Sequence, residues 1–237
     1  MGIYMEFENS MYSIKDEFTG WKLWEVLWLL ISVLTVGVGS LFYKDNWMGI
    51  VGAVCGIFAS VLTGKGKLSA YVIGGIGRVL YAFVAWRASF YGEVMLNLLY
   101  FVPMEFYGIY VWNKNMNSQT KEVQKRNMSF RQIIILTVII IFSTVAYGFV
   151  LKKLGGRLPF VDSFTNVISI IAMIVTIKRY AQTWILWMIV NAVSIVMWII
   201  TFKTGSGSLA VLLMWIIYFL NSLVMFAKWT RELKSNS

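Results

Sequence analysis

Three residues towards the end of the chain have side chains suited to bind a flat, polar ligand. Trp184, Trp187 and Asn191 follow one another at spacings of three and four residues within a long apolar segment, and a helix brings such positions onto one face. Indole rings stack on planar ligands and attract cationic rings, and a carboxamide donates and accepts hydrogen bonds. We expect a binding face here. The alternative is that Trp184 belongs to an aromatic belt at a membrane boundary.

A second set of polar side chains lies in another apolar segment and comprises Glu93, Asn97, Tyr100 and Glu105. An ionisable group inside a membrane span is costly and is by default a functional candidate. We expect Asn97, Tyr100 and Glu105 to contribute to the binding site, with Glu105 as the deepest acid. The alternative for Glu105 is an ion pair with Arg78 of the preceding segment, which would neutralise both charges.

Isolated polar and small residues occur in other apolar segments. Asn166 and Asn221 are predicted either to line a ligand path or to form interhelical hydrogen bonds, and we keep both as candidate site residues. Gly52 and Gly56 have the GxxxG spacing that is typical of closely packed helices. We interpret Cys55 as a buried thiol without a chemical role.

The composition excludes an ordinary soluble enzyme. Of 237 residues, 59% are hydrophobic and 14% are charged, and the mean hydropathy is +0.70. A soluble domain carries about a quarter charged residues. Because there is no histidine and only one cysteine, a disulfide framework and most zinc sites are excluded. We find no phosphate-binding loop, metal-ligand spacing or nucleophile–base pair, and therefore predict neither an enzyme nor a bound cofactor.

Eight segments are long and apolar enough to cross a bilayer as helices. They are Trp24–Phe42, Trp47–Thr63, Leu68–Arg87, Tyr91–Trp112, Ile133–Val150, Phe160–Ile177, Trp184–Phe202 and Leu209–Ala227. The predicted fold class is therefore all-α, a polytopic membrane helix bundle. We expect one transport domain over residues 24–230, between a polar N-terminal segment at residues 1–23 and a C-terminal tail at residues 231–237.

The basic residues predict the orientation in the membrane. Fourteen of the 21 Lys and Arg residues fall on the side of the two termini and six fall on the other side. Basic loops face the cytoplasm, so we expect both termini there and the protein in the inner membrane. The net charge of +10 then reflects loops next to the lipid bilayer, and we expect no nucleic-acid partner.

The chain contains an apparent internal repeat. Residues 47–112 resemble residues 160–227, with Trp86 matching Trp198 at a distance of 112 positions and Trp112 matching Trp229 at 117. Two parallel three-helix repeats would then be joined by a linker helix at residues 133–150, with the first helix outside the repeat. Such an architecture places a substrate path at the repeat interface. The alternative is chance similarity between apolar segments.

The sequence resembles the PnuC family of nicotinamide riboside transporters over roughly residues 47–230. The likeness rests on Trp184-x-x-Trp187 with Asn191, on Phe101-Val-Pro103 with Gly108 and Trp112, and on Arg87-x-x-x-Tyr91-Gly-Glu with Asn97. The resemblance implies two three-helix bundles around a linking helix, as in the sugar-transporting SWEET proteins. The first helix of this chain would be an addition to that fold.

The same resemblance implies a function. It suggests facilitated diffusion of nicotinamide riboside by uniport and alternating access, with cytosolic phosphorylation trapping the substrate. Trp184 and Trp187 would bracket the nicotinamide ring, and Asn191 would bind the carboxamide or the ribose. Other flat vitamins, such as thiamine or riboflavin, remain alternatives, as does a membrane receptor that does not transport. A homo-oligomer is compatible with the sequence.

Overall fold

The computed structural model describes residues 13–153, 159–205 and 207–235. These residues form eight helices that are long and apolar enough to span a membrane, as the sequence predicts. We number them α1 Leu23–Phe42, α2 Trp47–Lys65, α3 Ser69–Arg87, α4 Tyr91–Asn113, α5 Phe130–Lys153, α6 Pro159–Ile177, α7 Thr183–Lys203 and α8 Leu209–Ser235. The prediction of an all-α membrane bundle is confirmed. Most of the polar segment at residues 1–23 lies outside the described residues. So does Arg157, one of the six basic residues assigned to the side opposite the termini.

Two helices differ in their details from the segments that hydropathy marks. Helix α8 continues to Ser235, so residues 231–235 of the predicted tail are helical; Trp229 is buried in this extension. Helix α4 is interrupted by a π-helical turn at Leu96–Phe101, just before Pro103. Proline has no N–H to donate to the preceding turn, and π-helical turns are frequent at functional sites.

The helices pack in two groups of three with matching contacts. Within the groups, α2 packs on α3 and α3 on α4, while α6 packs on α7 and α7 on α8. Between the groups, the first helix of each contacts the third helix of the other, as α2 does with α8 and α6 with α4. Helix α1 lies against α2 and α8, and α5 packs on α6. A repeat of two three-helix units would produce this pattern.

Glycines allow the close approach of α2 to α3 and α8. A Cβ atom on Gly77 of α3 would lie 3.1 Å from the backbone nitrogen of Gly56 on α2, and one on Gly56 would lie 1.9 Å from the Tyr218 hydroxyl of α8. A side chain at Gly56 would therefore displace Tyr218. The GxxxG spacing serves the helix packing for which it is typical.

Tryptophans at the ends of α4 and α8 make matching hydrogen bonds. The indole N–H of Trp112 donates to the carbonyl of Thr176 at 3.2 Å, and that of Trp229 donates to the carbonyl of Gly64 at 2.8 Å. Each bond joins the third helix of one group to the first helix of the other. The matched residues Trp86 and Trp198 differ in their surroundings, because Trp198 is fully buried and Trp86 is 60% exposed. The repeat stays a prediction, which these contacts support.

A cluster of charged residues joins the elements on the side of the termini. This charged cluster consists of Glu25, Lys65, Glu122, Lys125, Lys228 and Glu232. At its centre Glu25 is 2.8 Å from Lys65 and 2.7 Å from Lys228. Burial raises the pKa of Glu122, but the charge of Lys125 and a hydrogen bond from Lys65 bring it below its usual value. The cluster ties α1, α2, α8 and the segment after α4 together.

Candidate functional site

A central cavity of about 520 Å³ lies between the two groups of three helices. Every helix of both groups contributes side chains to its wall, whereas no residue of α1 or α5 does so. Its size lies within the range of small-molecule binding sites. The cavity is therefore the candidate site in the described part of the chain, and the two helices outside the predicted repeats do not form it.

The side chains at the two ends of the cavity wall differ in exposure. At the end towards the termini lie Tyr71 of α3 and Trp184 of α7, which are 4% and 2% exposed. At the other end the wall includes Val161, Val196 and Ile200, all at least half exposed. The side chains at the end near the termini are thus shielded, whereas those at the opposite end are exposed.

An ordered indole forms part of the cavity wall. Trp187 donates its Nε1–H to the hydroxyl of Thr176 at 2.9 Å, and this hydroxyl lies 2.6 Å from that of Thr183. The Phe101 ring of α4 lies 6.3 Å from the Trp187 ring, centroid to centroid, at an interplanar angle of 42°. Because its edge is bound to Thr176, the Trp187 ring has a fixed orientation beside the cavity.

Asn191 offers an acceptor that no described residue uses. Its Nδ2 donates to the hydroxyl of Ser222 at 3.1 Å, while its Oδ1 is buried without a hydrogen-bond partner in the described structure. The Nε1–H of Trp184 is likewise buried and unpartnered there. Both residues line the cavity. Unpaired buried polar atoms are costly, and a polar ligand in the cavity would satisfy them.

The cavity wall contains more acidic than basic groups. Arg78 and Glu105 form an ion pair with Nε 2.5 Å from Oε1, so this alternative for Glu105 is observed. The Arg78 guanidinium also lies 4.0 Å from the centroid of the Phe101 ring. Glu93 and Asp162 line the cavity as well, and no described Lys or Arg forms an ion pair with either. The wall thus favours cationic over anionic ligands.

The π-helical turn of α4 brings Asn97 and Phe101 to the cavity wall. Asn97 is 3% exposed, and its Nδ2 donates to the carbonyl of Glu93 at 2.8 Å. Five of the eight residues that the sequence nominates thus line the cavity: Asn97, Glu105, Trp184, Trp187 and Asn191. Whether they bind a substrate stays a prediction.

The other three nominated residues lie outside the cavity wall. Tyr100 donates its hydroxyl to the carbonyl of Ile170 on α6 at 2.9 Å. Asn221 accepts from the Trp28 indole at 3.0 Å and donates to Ser60 Oγ at 2.8 Å, so it makes the interhelical hydrogen bonds that were its alternative role. Asn166 is half-buried on α6. Helical spacing alone does not distinguish the cavity face from a face that contacts another helix.

The sequence analysis does not nominate several residues that line the cavity, namely Tyr71, Phe101, Asp162, Thr176 and Ser222. The repeat offers a signal that could have found two of them, Tyr71 and Ser222. Tyr71 precedes Trp184 by 113 positions, and Ser222 follows Glu105 by 117; all four residues line the cavity. Carrying nominated residues from one unit to the other would also have added Arg78, which precedes Asn191 by 113 positions.

Comparison with known proteins establishes the family. Residues 46–231 match the family described as nicotinamide mononucleotide transporter. The nicotinamide riboside transporter PnuC of Neisseria mucosa is 38% identical over 228 residues, which cover 94% of this chain and 87% of that protein. This chain belongs to the PnuC family. The resemblance stated from sequence is therefore confirmed, and so is the prediction of a transporter rather than an enzyme.

Other PnuC proteins agree in sequence and fold. The nicotinamide riboside transporter PnuC of Haemophilus influenzae is 32% identical, with 93% of this chain and 96% of that protein covered. A crystal structure of the vitamin B3 transporter PnuC superposes with a TM-score of 0.86 at 39% identity and covers 94% of this chain and 97% of that one. The eight-helix bundle is thus the fold of a PnuC transporter.

Proposed function

We propose that the protein takes up nicotinamide riboside by facilitated diffusion. One observation carries the proposal. Trp184, Trp187 and Asn191 meet at a single cavity between the two groups of three helices. Nicotinamide riboside is a flat cationic ring with a carboxamide and a sugar. Indole faces suit the ring, and the free Oδ1 of Asn191 suits an amide N–H or a hydroxyl.

The charge of the cavity favours the riboside over the mononucleotide. Glu93, Glu105 and Asp162 line it together with one basic residue, Arg78, which Glu105 already binds. A phosphate group would enter a site without a free cationic partner in the described residues, and desolvating an unpaired charge is costly. The cationic ring of the riboside faces no such penalty.

The mechanism that we propose is alternating access. We infer that the cavity opens away from the termini, where its wall side chains are exposed, and is closed on their side by the buried Tyr71 and Trp184. Rocking of the two predicted repeats would open the closed end and release the substrate there. With the termini in the cytoplasm of an inner-membrane protein, this is the inward direction. Phosphorylation in the cytosol then traps the transported nicotinamide riboside.

Uptake into proteoliposomes tests this proposal. Purified protein should equilibrate labelled nicotinamide riboside across the membrane in the absence of any trapping enzyme, and addition of a protonophore or replacement of sodium should leave the rate unchanged. Accumulation above equilibrium that collapses with the protonophore would overturn uniport. Binding of the riboside without uptake would favour the alternative of a receptor.

Replacing Trp187 by Ala tests the site itself. The variant should lose about 1–3 kcal/mol of affinity for nicotinamide riboside, by analogy with the stacking of bases on aromatic side chains. Calorimetry in detergent measures the change, and Trp86→Ala, which removes an exposed indole of α3 outside the cavity wall, is the control. Titrations with thiamine and riboflavin in parallel decide between the substrate alternatives. Unchanged affinity of the Trp187 variant would remove this ring from the site.

A further inference from the structure

Tyr71 occupies the position in one group of helices that Trp184 occupies in the other. Each backbone N–H donates to the carbonyl three residues earlier, at 3.1 Å for Tyr71 and 3.2 Å for Trp184. The preceding turns both contain a residue with positive φ, Gly66 at 80° and Arg179 at 68°. Both side chains therefore leave the same kind of turn at the start of α3 and α7.

The two side chains also pack in the same way. Tyr71 contacts Trp112 edge to face, with centroids 4.9 Å apart and an angle of 86°. Trp184 contacts Trp229 at 5.6 Å and 88°. Tyr71 and Trp184 both line the cavity, at its end towards the termini.

Both side chains carry a buried polar atom without a partner. The hydroxyl of Tyr71 and the Nε1 of Trp184 make no hydrogen bond to any described residue, although their side chains are 4% and 2% exposed. An unsatisfied buried group of this kind costs about 1–3 kcal/mol. Such a cost at a cavity wall is explained by a ligand that supplies the missing partner.

Glycines set the position of Tyr71. A Cβ atom on Gly108 would lie 2.2 Å from Cε1 of Tyr71, so any other residue there would push the ring aside. The position one turn after Tyr71 is Gly74, whereas the position one turn after Trp184 is Trp187. At these two positions α3 thus presents one phenol ring, whereas α7 presents two indoles.

We propose that Tyr71 is a further substrate-binding residue and that its hydroxyl hydrogen-bonds a ribose hydroxyl. The inference rests on the proposed function. The indoles and Asn191 on α7 suit the nicotinamide part of the substrate, so the sugar is left to face the opposite wall. A phenol hydroxyl both donates and accepts, which matches the groups of a sugar.

Tyr71→Phe tests the proposal because it removes the hydroxyl and keeps the ring against Trp112. The affinity for nicotinamide riboside should fall roughly three- to tenfold, as the loss of one neutral hydrogen bond predicts. Competition with the 2′-, 3′- and 5′-deoxy analogues completes a thermodynamic cycle. One of the analogues should bind the variant and the unchanged protein equally well. Tyr107→Phe, on the exposed side of α4, is the control and should change nothing.

The outcomes separate this inference from the proposed function. If the unchanged protein binds the riboside and Trp187→Ala weakens it, but Tyr71→Phe does not, only the role of Tyr71 is overturned. A Tyr71→Phe loss of equal size for the riboside and all three analogues also overturns it, because the hydroxyl then acts on something other than the sugar. If the unchanged protein binds no riboside, both proposals fail.

Discussion

The two walls of the cavity carry different chemistry at positions that the predicted repeat makes equivalent. Arg78 and Asn191 lie 113 positions apart on α3 and α7, and Glu105 and Ser222 lie 117 apart on α4 and α8. In one wall Arg78 and Glu105 join the second and third helices of their group by an ion pair at 2.5 Å. In the other wall Asn191 and Ser222 do so by a neutral hydrogen bond at 3.1 Å. The same frame therefore carries a charged contact in one half and a neutral contact in the other.

This difference separates stability from recognition. In the charged pair each member satisfies the other inside the membrane span, where an unpaired charge is costly. In the neutral pair Asn191 keeps a free Oδ1, and the adjacent turns of the same helix supply Trp184 and Trp187. We infer that the Arg78–Glu105 pair maintains the fold and the charge of the cavity, and that the wall with Asn191 holds the aromatic part of the substrate.

The largest expected effect comes from breaking the charged pair. Glu105→Gln leaves the Arg78 guanidinium without its carboxylate, and loss of one member of a buried ion pair costs about 3 kcal/mol. For a chain of this length the melting temperature in detergent should fall by about 6–12 °C. A fluorescence thermal-shift assay measures it.

The control for this variant replaces both members of the pair. Arg78→Met combined with Glu105→Met removes both charges and keeps apolar volume, so most of the lost stability should return. If Glu105→Gln melts like the unchanged protein, the ion pair does not stabilise the helix contacts, and the assignment of this pair to stability fails.

A smaller effect distinguishes two asparagines with different surroundings. Asn191→Leu should lower the affinity for nicotinamide riboside about tenfold, because polar groups of the ligand lose their partner, with the melting temperature nearly unchanged. Asn221→Leu removes three hydrogen bonds, one donated by Trp28 and two donated to Ser60. At about 0.6 kcal/mol for each bond in a membrane, it should lower the melting temperature by roughly 4–7 °C and spare the affinity. The opposite pattern would show that Asn191 is structural.

Hydropathy is sufficient to predict most of the fold. The helix ends differ from the predicted segments by a few residues, except where α8 continues past Ala227. Its extension carries Lys228 and Glu232 into the charged cluster, and hydropathy cannot detect helical turns that charge pairs stabilise. Hydropathy also does not predict the π-helical turn of α4, although Pro103 indicates that the helix is locally disturbed.

The site is less predictable because a helix has several buried faces. Asn191 and Asn221 are both buried asparagines in apolar segments, yet one meets the cavity and the other meets Ser60 and Trp28. Only the packing of the other helices decides whether such an asparagine lines the cavity or contacts another helix. The Trp184 and Trp187 pair was predictable since two indoles and a carboxamide share one face. Tyr71 has no second aromatic residue one turn later in its own helix, where Gly74 stands.

The smallest expected effect compares Thr176 with Thr63, which lies 113 positions earlier and also lines the cavity. Thr176→Val removes the acceptor of the Trp187 indole at 2.9 Å, so the ring loses its fixed orientation and the affinity for nicotinamide riboside should fall about threefold. Thr63, at the matching position, accepts no hydrogen bond from an indole of the described residues, so Thr63→Val should leave the affinity unchanged. Calorimetric titrations of both variants measure the difference. Equal losses would mean that the hydroxyls act by the polarity of the cavity, whereas a loss confined to Thr176→Val would show that the orientation of one indole contributes to recognition.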